Sequence, residues 1–116
     1  MAIIYVDGSA VLERDGPSRL AHLAEAGHAI VLIGAADHPA AGHPVWSERL
    51  AAMPADPPRG AWYLTADPAT CGDRRAGLRT VLLGPRSREP RPTRCDTTAR
   101  DLREAVLEVL ATDAMR

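Results

Sequence analysis

The chain of 116 residues contains no lysine, asparagine, glutamine or phenylalanine, so all 14 of its basic residues are arginine. Because lysine is absent, no lysine side chain can hold a phosphate as an ammonium group or form a Schiff base as an amine. No apolar run approaches the ~20 residues that a membrane-spanning helix needs. The chain also lacks a basic region before its first short apolar stretch, so we expect no signal peptide and no membrane association.

Cysteine is scarce as well, with only Cys71 and Cys95 present. Two cysteines do not make a disulfide framework, so we expect reduced thiols, with Cys95 in a strand facing the core, and a cytoplasmic location. Hydrophobic residues account for 46% of the chain and charged residues for 25%, with a formal net charge of −1. This composition is ordinary for a soluble globule, and the length predicts one domain over residues 1–116.

The charge is unevenly spread along the chain. Residues 86–94, "RSREPRPTR", carry four arginines between prolines. Such an arm can contact an acidic partner, which makes an interaction module one hypothesis for the function. No aromatic residue stands among these arginines for base stacking, which argues against a nucleic-acid partner.

Short apolar runs alternate with helical patterns, which predicts βαβ units around a parallel sheet. Strands are predicted at residues 3–6, 29–33, 61–65, 80–83 and 93–95. Helices are predicted at residues 16–27, 45–53 and 68–76, and after Thr98, which forms a capping box with Asp101. For the five predicted strands we expect the all-parallel order 5-4-3-1-2, in a three-layer α/β sandwich.

In that order the first and third strands are neighbours, and the chain leaves them in opposite directions. Ligands of open α/β sheets bind at such a switch point, outside the carboxyl ends of the strands. Asp7, Gly8 and Ser9 follow the first strand, Gly34 follows the second and Asp67 follows the third. The sequence therefore predicts a phosphate or anion site at Gly8, Ser9 and Gly34, with Asp7 and Asp67 as weak metal ligands.

Four stretches, in order, resemble the haloacid dehalogenase-like (HAD) phosphohydrolase superfamily. "IIYVDGSAVLE" is similar to the first motif, a hydrophobic strand ending in Asp-x-Asp-Gly-Thr, and "AIVLIG" is similar to the second, a strand ending in Thr or Ser. "WYLTADPATCGDRRAGLRTVLLG" resembles the acidic turn, helix and strand of the fourth motif. "CDTTARDLREAVLEVL" resembles the closing strand and helix. The resemblance implies a Rossmann-like HAD fold, here without a cap domain.

The family's chemistry uses a nucleophilic Asp, a second Asp as acid and base, a Thr or Ser and a Lys on the phosphate, and acids on Mg²⁺. Matching Gly8-Ser9 to Gly-Thr puts Tyr5 at the nucleophile position and Asp7 at the acid/base position. A phenol with a pKa near 10 cannot replace that carboxylate. Gly34 replaces the second-motif hydroxyl, and Ala66 precedes a lone Asp67. These departures predict a catalytically degenerate domain, a pseudoenzyme acting by binding or assembly with a protein partner or a second copy of itself.

A second alignment of the first motif, shifted by two residues, keeps an enzyme as the alternative. Asp7 is then the nucleophile and Ser9 stands at the acid/base position. The resemblance in that case implies an Mg²⁺-dependent phosphohydrolase, with Asp67 on the metal and arginines such as Arg59 or Arg74 holding the phosphate. The residues alone leave the two alignments open.

Overall fold

A computed structural model of the chain describes residues 2–11, 16–34, 39–67, 78–84 and 95–114. Within these residues there are six strands and two α-helices. The strands are β1 (Ile3–Asp7), β2 (Ala29–Ile33), β3 (Glu48–Leu50), β4 (Trp62–Thr65), β5 (Arg79–Leu83) and β6 (Thr97–Ala99). The helices are α1 (Gly16–Glu25) and α2 (Leu102–Ala114). Neither described helix is long and apolar enough to cross a membrane.

The six strands form one sheet in the order β3-β2-β1-β4-β5-β6, and every pairing is parallel. The predicted α/β class and the predicted order of five strands are confirmed, and the sheet has one more strand at its β2 edge. Only residues 8–15 separate β1 from α1. That connection is too short to build a cap domain.

Both helices pack against the same face of the sheet, where they also contact each other. Helix α1 begins at Gly16-Pro17, because a proline fits the first helical turn, and it ends before Gly27, whose φ of 94° suits a residue without a side chain. The buried apolar side chains on this face include Ile4, Val6, Leu20, Leu23, Leu32, Leu64, Val81, Leu102, Val106 and Val109. Ala24 has helical spacing with Leu20 and Leu23, which predicts a buried position, but it is exposed.

The opposite face of the sheet carries a second apolar cluster, made of Tyr5, Val31, Ile33, Ala61 and Tyr63. Part of its cover is the connection between β3 and β4, from which Met53 packs against the cluster. The predicted helix at residues 68–76 lies outside the described residues.

Two predicted elements of the β3 and α2 regions are wrong. A short strand, β3, replaces the helix predicted at residues 45–53, because pairing with Val31–Ile33 satisfies the backbone of Glu48–Leu50. Helix α2 is capped by Asp101, whose Oδ1 accepts from the Glu104 backbone N–H at 2.9 Å. Thr98 was predicted as that cap, but it lies inside β6.

The last strand and its neighbouring cysteine also differ from expectation. The strand predicted at residues 93–95 is β6 at Thr97–Ala99, where it pairs with Val81–Leu83. Cys95 is buried just before β6, and it is disulfide-bonded rather than a reduced thiol. The sequence holds one other cysteine, Cys71, which lies outside the described residues. A disulfide is typical of an oxidising compartment, so it does not support the expected reduced state.

Candidate functional site

The candidate site lies at the carboxyl ends of β1 and β4, which are neighbours in the sheet. After β1 the chain crosses to β2 on one side, and after β4 it continues to β5 on the other side. The two connections therefore leave in opposite directions, and a crevice opens between them. This is where the sequence placed the site.

Asp7 and Ser9 form a tight turn at the end of β1. The carboxylate oxygen Oδ2 of Asp7 accepts from the Ser9 backbone N–H at 3.2 Å and from the Ser9 hydroxyl at 2.5 Å. A side chain that accepts from the backbone two residues later is an Asx turn, which Asp favours and which Gly8 between them accommodates. The Asp-Gly-Ser sequence is thus sufficient to shape this corner locally.

Thr65, the last residue of β4, joins this turn from the neighbouring strand. It is fully buried, and its hydroxyl lies 3.4 Å from the Ser9 hydroxyl and 3.5 Å from Asp7 Oδ2. The Ser9 hydroxyl in turn accepts from the Ala66 backbone N–H at 3.0 Å. We call Asp7, Ser9 and Thr65 the hydroxyl–carboxylate cluster.

Thr65 was not among the residues predicted for the site. Its place in the sequence could have indicated its role. Thr65 is the last residue of a strand predicted to lie beside the first strand, and it carries a hydroxyl directly before Ala66 and Asp67.

Asp67 and Gly34 lie at the same edge of the sheet but outside the cluster. Asp67 is exposed, and its backbone N–H donates to the Thr65 hydroxyl at 3.1 Å. Gly34 follows β2 with a φ of 69°, and its N–H donates to the Leu50 carbonyl at 2.8 Å. The backbone N–H groups of Ser9 and Gly34, both predicted to hold an anion, therefore already donate hydrogen bonds within the protein.

Tyr5 lies in the middle of β1, two residues before the strand ends. Its side chain is 4% exposed and packs in the second apolar cluster. Burial, and to a lesser extent the negative charge of Glu48, raises the pKa of the Tyr5 phenol. Asp7, not Tyr5, is the residue at the end of the strand.

The acidic residues at this edge provide few ligands for a metal ion. Among the described residues, no group of three or more His, Cys, Asp or Glu side chains is placed to hold a metal ion. Asp7 and Asp67 supply two carboxylates, and Asp7 Oδ2 already accepts from Ser9. Mg²⁺ binds to one or two carboxylates when it keeps several waters, so these donors fit only a weakly held Mg²⁺.

No family model, curated protein or solved structure matches the chain. The arginine arm at residues 86–94 lies outside the described residues, as does Arg74. Arg59, the other arginine suggested for a phosphate, lies in the connection before β4 and lines a cleft with the first residues of β4 and β5. Parallel strands begin at one edge of a sheet and end at the other, so Arg59 is not at the edge that holds Asp7.

Proposed function

We propose that the chain is a HAD-like domain without phosphoryl-transfer activity, which acts by binding or assembly. The observation that carries this proposal is the hydroxyl–carboxylate cluster, in which the polar groups of Asp7, Ser9 and Thr65 bond to one another across the ends of two strands. Groups that satisfy one another in this way stabilise the junction of β1 and β4.

The chemistry of the cluster supports the absence of turnover. Catalytic phosphoryl transfer depends on positive groups that hold and neutralise the phosphate. The chain has no lysine, and the backbone N–H groups of Ser9 and Gly34 already donate hydrogen bonds within the protein. Ser9 next to Asp7 offers a hydroxyl, which is not among the side chains that serve as general acids and bases near neutral pH.

One observation favours the alternative, an Mg²⁺-dependent phosphohydrolase with Asp7 as the nucleophile. Asp7 is the last residue of β1, as the shifted alignment of the first motif requires. Within the part of the chain that the structure describes, its three hydrogen bonds all go to Oδ2, so Oδ1 keeps its lone pairs for a ligand. This leaves one carboxylate oxygen that can attack phosphorus.

Phosphate release from a panel of phosphomonoesters with Mg²⁺ separates the two functions. The wild-type protein is compared with Asp7→Asn and with the control Asp56→Asn, which changes an exposed aspartate in the β3–β4 connection. We expect no release above background from any of the three. Turnover that EDTA and Asp7→Asn abolish, and that Asp56→Asn retains, would overturn the proposal in favour of the phosphohydrolase.

Sedimentation of the same proteins tests the assembly part of the proposal. A domain that acts by assembly should have a mass that exceeds the 12.4 kDa monomer at working concentration. Because the cluster satisfies itself without a metal, this mass should be the same with Mg²⁺ and with EDTA. A strictly monomeric protein would leave binding to another molecule as the mode of action.

A further inference from the structure

A cleft of ≈ 670 Å³ opens at the edge of the sheet opposite to Asp7. It lies at the amino ends of β4, β5 and β6, and its wall includes the first residue of each strand, Trp62, Arg79 and Thr97. Arg59 precedes β4, and Glu108 contributes from α2. The volume is within the range of small-molecule sites, roughly 300–1,000 Å³.

One wall of the cleft is basic. Trp62 and Arg79 are paired in register on neighbouring strands, and the Arg79 guanidinium lies 5.3 Å from the centre of the Trp62 ring. A cation–π contact of this kind holds the guanidinium near the ring, and its N–H groups can still donate to a ligand. Arg59 and Arg79 are both exposed, and neither forms an ion pair with any described residue.

Two carboxylates also line the cleft, one just before β6 and one on α2. Asp96 Oδ2 accepts from the Thr80 backbone N–H at 2.9 Å and from the Thr80 hydroxyl at 3.1 Å, which fixes this carboxylate before β6. Glu108 is exposed on α2, and Thr112 follows four residues later, on the same helix face. Among the described residues Glu108 makes no ion pair, although two guanidinium groups line the same cleft.

We propose that this cleft binds a small zwitterion, a molecule with a carboxylate at one end and an ammonium group at the other. The carboxylate is held by Arg59 and Arg79, and the ammonium group faces Glu108. The two arginines stand before β4 and at the start of β5, whereas Glu108 stands on α2, so the two charged ends of the ligand meet different elements. The Asp96 carboxylate, which also lines the cleft, already accepts hydrogen bonds from Thr80. A simple anion would match only half of the cleft.

Free amino acids and short peptides share this chemistry, and the choice of probes separates them. Glycine is the free amino acid probe and triglycine the peptide probe. N-acetyl-triglycine lacks the ammonium charge, and triglycine amide lacks the carboxylate. Binding is followed by NMR at the Trp62 indole N–H and at the backbone N–H groups of Arg79, Thr97 and Glu108, with the indole of buried Trp46 as an internal control.

We expect the NMR signals of the cleft residues to shift and to reach saturation as glycine or triglycine is added. The Trp46 signal should stay unchanged. Each capped triglycine should bind about tenfold more weakly, because each lacks one charged hydrogen-bonding group. Arg79→Gln should remove the preference for triglycine over its amide, and Glu108→Gln the preference over its acetylated form. The controls Arg100→Gln and Glu25→Gln, which remove exposed charges outside the cleft, should change neither preference.

Two results would overturn this proposal: no saturable shift with glycine or triglycine, or capped forms that bind as tightly as triglycine. Because the substituted residues Arg79 and Glu108 are exposed, the fold of each variant should be unchanged, and its NMR fingerprint checks this before titration. The experiment is independent of the proposed function, since Asp7→Asn changes the opposite edge of the sheet and should leave the cleft signals as they are.

Discussion

The two edges of the sheet use polar residues in opposite ways. At the carboxyl edge, Asp7, Ser9 and Thr65 lie within hydrogen-bond distance of one another and bridge the ends of β1 and β4. At the amino edge, Arg59, Arg79 and Glu108 face a cleft, and none forms an ion pair with another described residue. The polar side chains of the cluster at the first edge bond to one another, whereas the three charged side chains at the second edge face the cleft.

This difference bears on which edge of the sheet can bind a ligand. Polar groups that satisfy one another stabilise a junction, and they bind a ligand only by giving up those bonds. Charged groups without partners bind a complementary ligand without that loss, although they are screened by salt while exposed. We therefore expect the cluster at the carboxyl edge to stabilise the fold, and we expect ligand binding at the amino edge.

The largest effect that bears on this comparison is expected at Cys95, beside Asp96 of the cleft. Cys95→Ser should lower the free energy of unfolding by about 2–4 kcal/mol, because a disulfide restricts the unfolded chain. Urea denaturation with and without a reductant measures this. The amide signal of Ser9 at the other edge should stay unchanged.

The reductant supplies the control for the Cys95 prediction. It should destabilise the wild-type protein and leave Cys95→Ser unaffected. Two titratable thiols in the native protein before reduction, with equal stability of both forms, would contradict the prediction.

The next effect contrasts one threonine from each edge. Thr65→Val keeps the shape of a fully buried side chain but removes the hydroxyl that accepts from the Asp67 N–H and approaches Asp7, so we expect a loss of about 1–2 kcal/mol. Thr97→Val is the matched change in the cleft, and we expect it to stay within about 0.5 kcal/mol of wild type. Thermal or urea unfolding of both variants measures the contrast. Equal losses of stability in the two variants would mean that the hydroxyl groups at the two edges contribute equally to the fold.

The smallest effect concerns Tyr5, between the two edges, and appears only at high pH. The folded state raises the pKa of the Tyr5 phenol above its usual value of about 10, first by burial and second by the charge of Glu48. The fold thus holds this proton more tightly than the unfolded chain does. The resulting stability is fully present below about pH 10 and is lost as the pH rises through the raised pKa.

Unfolding measured from pH 8 to 12 tests the Tyr5 prediction. Tyr5→Phe should lose less stability than wild type above pH 10, and Glu48→Gln should lie between them. An identical alkaline profile for wild type and Tyr5→Phe would show that Tyr5 titrates normally in the fold.

Much of the fold could be predicted because its signals are local. Short apolar runs marked β1, β2, β4 and β5, and Gly16-Pro17 and Gly27 marked the limits of α1. The region of β3 misled the prediction, since its apolar residues have helical spacing while Glu48 and Arg49 are exposed on an edge strand. Residues 48–50 form a strand because they pair with the edge of β2. The sequence of these three residues contains no pattern that predicts this pairing.

The candidate site was predicted in part for the same reason. Asp7, Gly8 and Ser9 form a turn that depends on residues adjacent in sequence. Thr65 is more than fifty residues from Ser9. Their strands were predicted to be neighbours, but only the structure shows that the Thr65 hydroxyl lies against Ser9 and Asp7. The cleft was missed entirely, because Arg59, Arg79 and Glu108 share no spacing in the sequence.

The sequence by itself determined the parallel α/β class, the Asx turn at Asp7 and the absence of any lysine for phosphate chemistry. Each of these follows from composition or from interactions between residues close in the chain. The tertiary structure alone decided that Tyr5 is buried, that Thr65 completes the cluster, and that Arg79 contacts Trp62 in a cleft that Glu108 also lines. These depend on which side chains of distant segments come into contact, and that is set by long-range packing of the whole sheet rather than by local pattern.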